Sequence, residues 1–146
     1  MKTRILIVDD EQEFVEALSE RLGLRDYDVT TSFSGKDAVE KLEQLNFDVV
    51  VLDVLMPDMD GIETLKRIKG LKPLTEVIML TGHATVETAI EGMKLGAYDY
   101  LMKPCGDDEL FRKIDKARAK KEEHEERIRE AKVKEIVSSP RSVLNG

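Results

Sequence analysis

A carboxylate ends a short apolar run near the middle of the chain. Residues 49–52 are Val-Val-Val-Leu, Asp53 comes next, and Pro57 and Gly61 follow soon after. Short runs rich in β-branched residues are typical of strands buried on both faces, and Pro and Gly mark the loop that ends such a strand. Asp53 is therefore expected at the carboxyl end of a central strand, where open α/β sheets bind ligands. A carboxylate can act there as a nucleophile, and we expect Asp53 to accept a phosphoryl group.

Four more polar residues follow other apolar runs. Asp9 and Asp10 end the first run, Thr81 ends the fourth, and Lys103 ends the fifth. Because the carboxyl ends of parallel strands lie on one edge of a sheet, we expect these side chains to converge with Asp53. Each residue alone has an ordinary explanation, such as a turn or a helix cap. The signal is the position that they share at the ends of strands.

These residue types predict phosphoryl chemistry that depends on a metal ion. Three carboxylates in a small space repel one another, and Mg²⁺, which prefers oxygen ligands, relieves that repulsion. The metal would also neutralise charge on a transferred phosphoryl group. The Lys103 ammonium could pair with Asp53 before transfer and with a phosphoryl oxygen afterwards. The Thr81 hydroxyl could donate a hydrogen bond to another phosphoryl oxygen.

Alternating strand and helix patterns must position these residues. Each strand pattern is a short apolar run, and each helix pattern carries apolar residues three or four positions apart. The predicted strands are 4–8, 27–33, 47–52, 76–80 and 98–102. Gly23 and Gly96 are predicted to close the first and fourth helices, and Asp107 or Asp108 to cap the last one. Five strands alternating with five helices through short connections predict an α/β doubly wound parallel sheet.

The composition changes near residue 119. Residues 120–127 are all Lys, Glu, His or Arg, and later apolar residues such as Ile128 and Ile136 form only a thin stripe. Acids and bases near i,i+4 spacing favour a solvated helix; the alternative is a weak coiled coil or a docking helix. We therefore expect one globular domain over 1–120 and a charged helical extension with a disordered tail over 121–146.

The overall composition narrows the class of protein. The chain has 146 residues, of which 41% are hydrophobic and 36% charged, as in a globular protein of one domain. It has neither an apolar run near the roughly 20 residues that span a bilayer nor a signal-peptide pattern. A single cysteine, Cys105, suits a reducing cytoplasm. A net charge of −7 argues against direct binding of nucleic acid.

The set of motifs resembles the receiver domain of two-component response regulators. The matching residues are Asp9 and Asp10, Asp53 with Met-Pro-Asp-Met-Asp-Gly at 56–61, Thr81-Gly82, and Tyr-Leu-Met-Lys-Pro at 100–104. They follow the order of the family's motifs, and the resemblance covers roughly residues 4–119. The stretch 80–103 is most similar to receivers attached to regulators of the nitrogen-type sigma factor, sigma-54.

The resemblance implies a flavodoxin-like (βα)5 fold with strand order 2-1-3-4-5. It implies a phosphorelay switch rather than an independent enzyme. Asp53 would take a phosphoryl group from a phosphohistidine of a sensor histidine kinase. Mg²⁺ would be bound by Asp10 and Asp53, by Asp9 directly or through water, and by the backbone carbonyl of Leu55.

The resemblance also implies that Thr81 and Tyr100 form a switch. When Thr81 moves toward the phosphoryl group, Tyr100 turns inward, and the face made by the fourth helix, fifth strand and fifth helix changes shape. That face or the C-terminal helix would serve a homodimer, and the output partner is not defined. A cis peptide bond between Lys103 and Pro104 is implied too. The implied turn residues are Pro57, Gly61 and Pro104.

Two other functional classes share parts of the pattern. A small hydrolase that forms an aspartyl-phosphate usually needs a general acid two residues after the nucleophile, and that position holds Leu55. A flavodoxin-like electron carrier needs a phosphate-binding loop after the first strand, where the acidic residues 9–11 would repel the cofactor. Because 138–146 is typical of a tail, we expect a stand-alone receiver; the alternative is an N-terminal receiver fragment of a longer transcriptional regulator.

Overall fold

Five strands and five helices alternate along the chain. The structure is a computed structural model that describes residues 2–56, 60–82 and 85–138. The strands are β1 (Arg4–Val8), β2 (Asp28–Ser32), β3 (Val49–Leu52), β4 (Glu76–Thr81) and β5 (Asp99–Met102). The helices are α1 (Gln12–Leu24), α2 (Gly35–Gln44), α3 (Gly61–Leu71), α4 (Val86–Lys94) and α5 (Asp107–Ser138).

All neighbouring strands pair in parallel, in the order β2-β1-β3-β4-β5. The flavodoxin-like doubly wound fold and its strand order are therefore confirmed. In the centre of the sheet Val8 pairs with Leu52, and Leu52 pairs with Met79. Because these strands end almost level with one another, the residues that follow them leave the sheet at a single edge.

Helices cover both faces of the sheet, which explains the apolar strand sequences. Successive strand residues point to opposite faces, so Ile5 and Ile7 join the core beneath α1 and α5, whereas Leu6 and Val8 join the core beneath α2 and α3. Every residue of β3 is buried. A strand covered on both sides needs apolar side chains at every position.

The ends of the helices depart from the sequence predictions at two places. α1 continues through Gly23, and the left-handed conformation after it belongs to Asp26, with φ 66°; a short polar side chain tolerates that conformation. Gly96, with φ 102°, does follow α4 as predicted. The predicted cap of α5 was wrong, because Asp107 and Asp108 lie inside its first turn. Their charges suit the positive end of the helix dipole there.

α5 is a single helix from Asp107 to Ser138. Its buried residues all lie before residue 118, and no residue in 119–138 is buried. Polar contacts attach its middle to the body of the protein: Arg118 Nη1 donates to Thr3 Oγ1 at 2.7 Å, Lys121 Nζ donates to Asp48 Oδ1 at 3.3 Å, and Lys120 Nζ lies 3.9 Å from Glu76 Oε2. The division at residue 120 stays a prediction, and the expected tail from residue 139 lies outside the described residues. Within the part that the structure describes, none of the helices has the length and apolarity to cross a membrane.

Candidate phosphoacceptor site

Asp9, Asp10 and Asp53 meet at the carboxyl edge of the sheet. Each offers a carboxylate oxygen within 4.8 Å of the other two. The N–H of Asp9 donates to the carbonyl of Ser32 at 3.1 Å, and the N–H of Asp53 donates to the carbonyl of Val8 at 2.9 Å. These bonds continue the strand pairing one residue past β1 and β3, so the sheet itself holds the Asp9 and Asp53 backbones side by side.

Two of these three carboxylates are buried. The exposed fraction is 2% for Asp9 and 3% for Asp53, whereas Asp10 is exposed. Burial raises the pKa of Asp9 above its ordinary value and the nearby charge of Asp53 adds to the rise, although hydrogen bonds from Lys103 and from the Glu11 N–H act against it.

The chemistry of this cluster fits a divalent cation. Asp53 Oδ1 is buried and has no hydrogen-bond partner among the described residues. Buried polar atoms are normally paired, and an unpaired carboxylate oxygen beside two further carboxylates is the environment that a hard cation with oxygen ligands relieves. The residues present therefore fit Mg²⁺.

Lys103 reaches this cluster from the end of β5, on the side of Asp9. Its Nζ lies 2.6 Å from Asp9 Oδ2 and 3.3 Å from Glu11 Oε1. The expected pair with Asp53 is not found: no ion pair among the described residues joins Lys103 to Asp53. The charge of the ammonium is instead compensated by the two carboxylates of the β1–α1 connection. Burial lowers the pKa of Lys103, but the hydrogen bond to Asp9 and the charges of Asp9, Asp53 and Glu11 outweigh it and leave the pKa raised.

Thr81 and Tyr100 lie on the two neighbouring strands at the same edge. Thr81 is fully buried as the last residue of β4, and its carbonyl accepts a hydrogen bond from the Lys103 N–H at 2.8 Å. Tyr100, in β5, is partly buried, and its hydroxyl lies 2.9 Å from Thr88 Oγ1. The Tyr100 side chain is therefore directed toward α4 in this structure.

Gly61, at the start of α3, lies directly against the backbone of Asp53 and Val54. The Gly61 N–H donates to the carbonyl of Val54 at 2.6 Å. A Cβ on Gly61 would lie 2.3 Å from the Asp53 carbonyl oxygen and 2.5 Å from Val54 Cα, so only glycine fits. The Asp60 side chain caps α3 by accepting from the Glu63 N–H at 2.8 Å. The first turn of α3 is thereby packed against the backbone of Asp53.

The other residues predicted for this edge have mixed outcomes. Gly61 is the first residue of α3 rather than a turn residue. The peptide bond between Lys103 and Pro104 is cis, as the resemblance implied. Pro57 lies outside the described residues. Leu55 is described and its side chain is exposed; the role of its carbonyl stays a prediction.

Three residues of this edge escaped the sequence reasoning. The sequence analysis includes Glu11 only in an acidic run and assigns no role to Phe14 or Thr88. The first two lie in the connection and first turn after β1, so they could have been placed at this edge from the predicted topology. Thr85 and Thr88 have the three-residue spacing of a capping box, which was a readable signal.

Comparison with known proteins agrees with this fold. The family model described as the response regulator receiver domain matches residues 5–115. The chain thus has the architecture and the acidic edge of a phosphoacceptor switch, and it belongs to the family of response regulator receiver domains of two-component systems.

Individual relatives support the same assignment. The chain is 42% identical over 118 residues to the transcriptional regulatory protein ZraR of Salmonella typhimurium, covering 81% of this chain and 27% of ZraR. A CheY-like receiver domain from Methanospirillum hungatei superposes with a TM-score of 0.82 at 31% identity, covering 85% of this chain and 99% of that one. The BeF3-activated receiver domain of DrrB superposes with a TM-score of 0.73 at 34% identity, covering 80% and 97%. The chain thus spans about a quarter of the length of ZraR.

Proposed function

We propose that Asp53 is the phosphoacceptor and that its donor is a phosphohistidine of a sensor histidine kinase. In that reaction a carboxylate oxygen of Asp53 attacks phosphorus, the bond between phosphorus and the imidazole nitrogen breaks, and the imidazole leaves with the electron pair. An acyl phosphate forms on Asp53. With acetyl phosphate as donor, the bond to the acetate oxygen breaks instead and acetate leaves.

A single observation carries this proposal. The Asp53 carboxylate is buried at the end of the central strand, one of its oxygens has no hydrogen-bond partner among the described residues, and two further carboxylates lie within 4.8 Å. Burying an unpaired carboxylate oxygen costs free energy unless a ligand binds it. A phosphoryl group held together with a cation is a ligand that would do so.

The same cluster would hold Mg²⁺. The proposed ligands are carboxylate oxygens of Asp9, Asp10 and Asp53 and the backbone carbonyl of Leu55. When bound, the cation supplies positive charge beside the phosphoryl oxygens during transfer. The protein's own contribution is to bury Asp53, to hold its backbone in the extended sheet, and to keep the three carboxylates together.

Thr81, Lys103 and Tyr100 would convert phosphorylation into a signal. The Lys103 ammonium and the Thr81 hydroxyl would each contact a phosphoryl oxygen, and Tyr100 would change orientation as Thr81 moves. The face that would respond carries exposed apolar side chains on α4 and β5. These are Val86, Ile90, Met93 and Met102. An exposed apolar face supports an interaction role, either with an output partner or with a second copy of the chain.

The proposed reaction is that of a switch rather than of a hydrolase that turns over a separate substrate. A hydrolase of this kind would place a general acid two residues after Asp53, and Leu55 has an apolar side chain. The protein would promote its own phosphorylation and a slow loss of the phosphoryl group.

We propose separately that this receiver belongs to a longer protein that carries the output domain. ZraR is named as a transcriptional regulatory protein and is about four times as long as the region matched. This favours the receiver of a longer transcriptional regulator, of the kind that acts with sigma-54, over a stand-alone receiver. An antibody against the chain would test it, because a band near the 16.6 kDa of the chain in native extracts supports the stand-alone form and a much larger band supports the longer one.

Labelling with acetyl phosphate tests the phosphoacceptor. After incubation with Mg²⁺, intact mass should rise by one phosphoryl group in the wild type and remain unchanged in Asp53→Asn. Asp26→Asn is the matched control, because it removes an exposed carboxylate between α1 and β2 and should be labelled as the wild type is. An unlabelled wild type, or labelling of Asp53→Asn at the wild-type rate, would overturn the proposal.

A further inference from the structure

The Lys103 ammonium is held by two carboxylates of the connection between β1 and α1. Its three N–H donors have carboxylate acceptors at 2.6 Å on Asp9 and 3.3 Å on Glu11. The side chain is only 13% exposed. Two of its donor directions are therefore used by the connection between β1 and α1.

An aromatic ring also lies against the ammonium. Lys103 Nζ lies 3.9 Å from the centroid of the Phe14 ring, well within the roughly 6 Å at which a cation is attracted to a ring face. Phe14 is partly buried and packs against the core beneath α1 and α5, so the ring has a fixed support. An ammonium enclosed in this way has to give up at least one of these contacts before it can face a phosphoryl oxygen on Asp53.

We propose that Phe14 and Glu11, together with Asp9, form a resting site for the Lys103 ammonium, and that Phe14 and Glu11 are positioning residues that slow phosphoryl transfer by holding it there. This inference rests on the proposed function of Asp53. The resting contacts stabilise the unphosphorylated state and are lost when Lys103 turns to the phosphoryl group. Removing one of them therefore lowers the barrier to transfer.

Phe14→Leu tests the contribution of the aromatic ring alone. Leucine keeps an apolar side chain in α1 but has no π face. Loss of this cation–π contact corresponds to a gain in rate of at least about two- to fivefold. We expect that gain in the maximal rate of labelling by acetyl phosphate with Mg²⁺, with no change in the donor concentration that gives half of the maximal rate.

Phe14→Tyr and Glu13→Gln provide the matched controls. Tyrosine keeps a ring face and should restore the wild-type rate. Glu13 is an exposed acid of α1 that does not contact Lys103, so Glu13→Gln should leave the rate unchanged, whereas Glu11→Gln should raise it. An unchanged or lower rate in Phe14→Leu, or a rate in Phe14→Tyr equal to that of Phe14→Leu, would overturn the resting site.

A second measurement needs neither metal nor phosphodonor. In the NMR spectrum of the metal-free protein, the Lys103 methylene next to the ammonium should be shifted upfield by the ring current of Phe14, and the signal can be assigned from its loss in Lys103→Met. The shift should vanish in Phe14→Leu and persist in Phe14→Tyr. A wild-type signal at the position of the exposed lysines would overturn the resting site even if Phe14→Leu failed to fold. If the wild type shows the shift but takes no label, the phosphoacceptor proposal fails and the resting site stands.

Discussion

The Tyr100 hydroxyl lies 2.9 Å from Thr88 Oγ1, which also belongs to the capping box of α4. Thr88 Oγ1 accepts a hydrogen bond from the Thr85 N–H at 3.1 Å and lies 2.9 Å from Thr85 Oγ1. One turn further along α4, Gly92 has no side chain, and a Cβ there would lie 3.9 Å from Tyr100 Cδ2. The orientation of Tyr100 is thereby coupled to the start of α4.

Thr88→Val should loosen the first turn of α4 in the unphosphorylated protein. Valine keeps the shape of threonine but lacks the hydroxyl, so both the contact with Tyr100 and half of the capping box are lost. Loss of a hydrogen bond of this kind lowers local stability by about 1 kcal/mol, which corresponds to about fivefold faster amide exchange in that turn. Hydrogen exchange followed by NMR measures this.

Thr88→Ser is the matched control for that experiment, because serine retains the hydroxyl. Exchange in Thr88→Ser should remain close to that of the wild type. Equal protection of α4 in Thr88→Val and in the wild type would show that the Tyr100 contact does not support the helix.

Gly61→Ala should destabilise the protein and Gly70→Ala should not, although both glycines lie in α3. The Cβ at position 61 would meet the backbone of Asp53 and Val54, and backbone atoms cannot move aside as a side chain can. We expect a loss of about 1–3 kcal/mol in the free energy of unfolding, together with slower phosphorylation. A Cβ at position 70 meets nothing within 4 Å, so alanine should add about 0.5–1 kcal/mol through its higher helix propensity. Urea unfolding of Gly61→Ala and Gly70→Ala measures the two free energies of unfolding. Equal changes in both variants would contradict the tight fit at position 61.

The strands could be predicted from the sequence because burial on both faces leaves a simple pattern. Val49–Leu52 of β3 has no polar position at all, and short connections allow few topologies. The helix ends were less predictable, since a glycine closes a helix only where the chain turns left-handed. Gly96 does so, but near α1 that conformation belongs to Asp26 rather than to Gly23.

The partner of Lys103 could not be predicted in the same way. The topology places Lys103, Asp9 and Asp53 at one edge of the sheet, but it does not determine which carboxylate the long side chain reaches. Lys103 and Asp9 are 94 positions apart in the sequence. The ammonium also contacts the Phe14 ring and the Glu11 carboxylate, and the strand and helix pattern of the sequence does not give the direction of either side chain.

Tyr27→Phe should remove a stabilising contribution that disappears in strong alkali. Burial, with help from a 2.6 Å hydrogen bond to Asp115 Oδ1, raises the pKa of Tyr27 from 10.0 to about 12. The folded protein thus holds this proton more tightly than the unfolded chain does. The contribution is fully present below pH 10 and is lost as the pH rises from 10 toward about 12.

Urea unfolding of the wild type and of Tyr27→Phe across that pH range tests whether the contribution of Tyr27 to stability falls as the pH rises. The difference in unfolding free energy between the two proteins should decrease between pH 10 and about 12 and be constant below it. Asp115→Asn keeps an acceptor but removes the charge, so in that variant the decrease should still begin near pH 10 but end at a lower pH than in the wild type. A difference that grows with pH would contradict the raised pKa.

Lys103→Met should strengthen the binding of Mg²⁺ while weakening phosphoryl transfer. The ammonium lies 2.6 Å from Asp9 Oδ2 and compensates part of the charge of the carboxylate cluster, so a cation entering the same cluster meets repulsion from it. Without this charge, the dissociation constant for Mg²⁺ should fall by about tenfold, as measured by calorimetric titration of the unphosphorylated protein. Lys103→Arg keeps the charge and should bind Mg²⁺ much as the wild type does. Labelling by acetyl phosphate should be slower in Lys103→Met, because no ammonium remains to face the phosphoryl oxygens. Weaker Mg²⁺ binding in Lys103→Met would show instead that Lys103 supports the metal site.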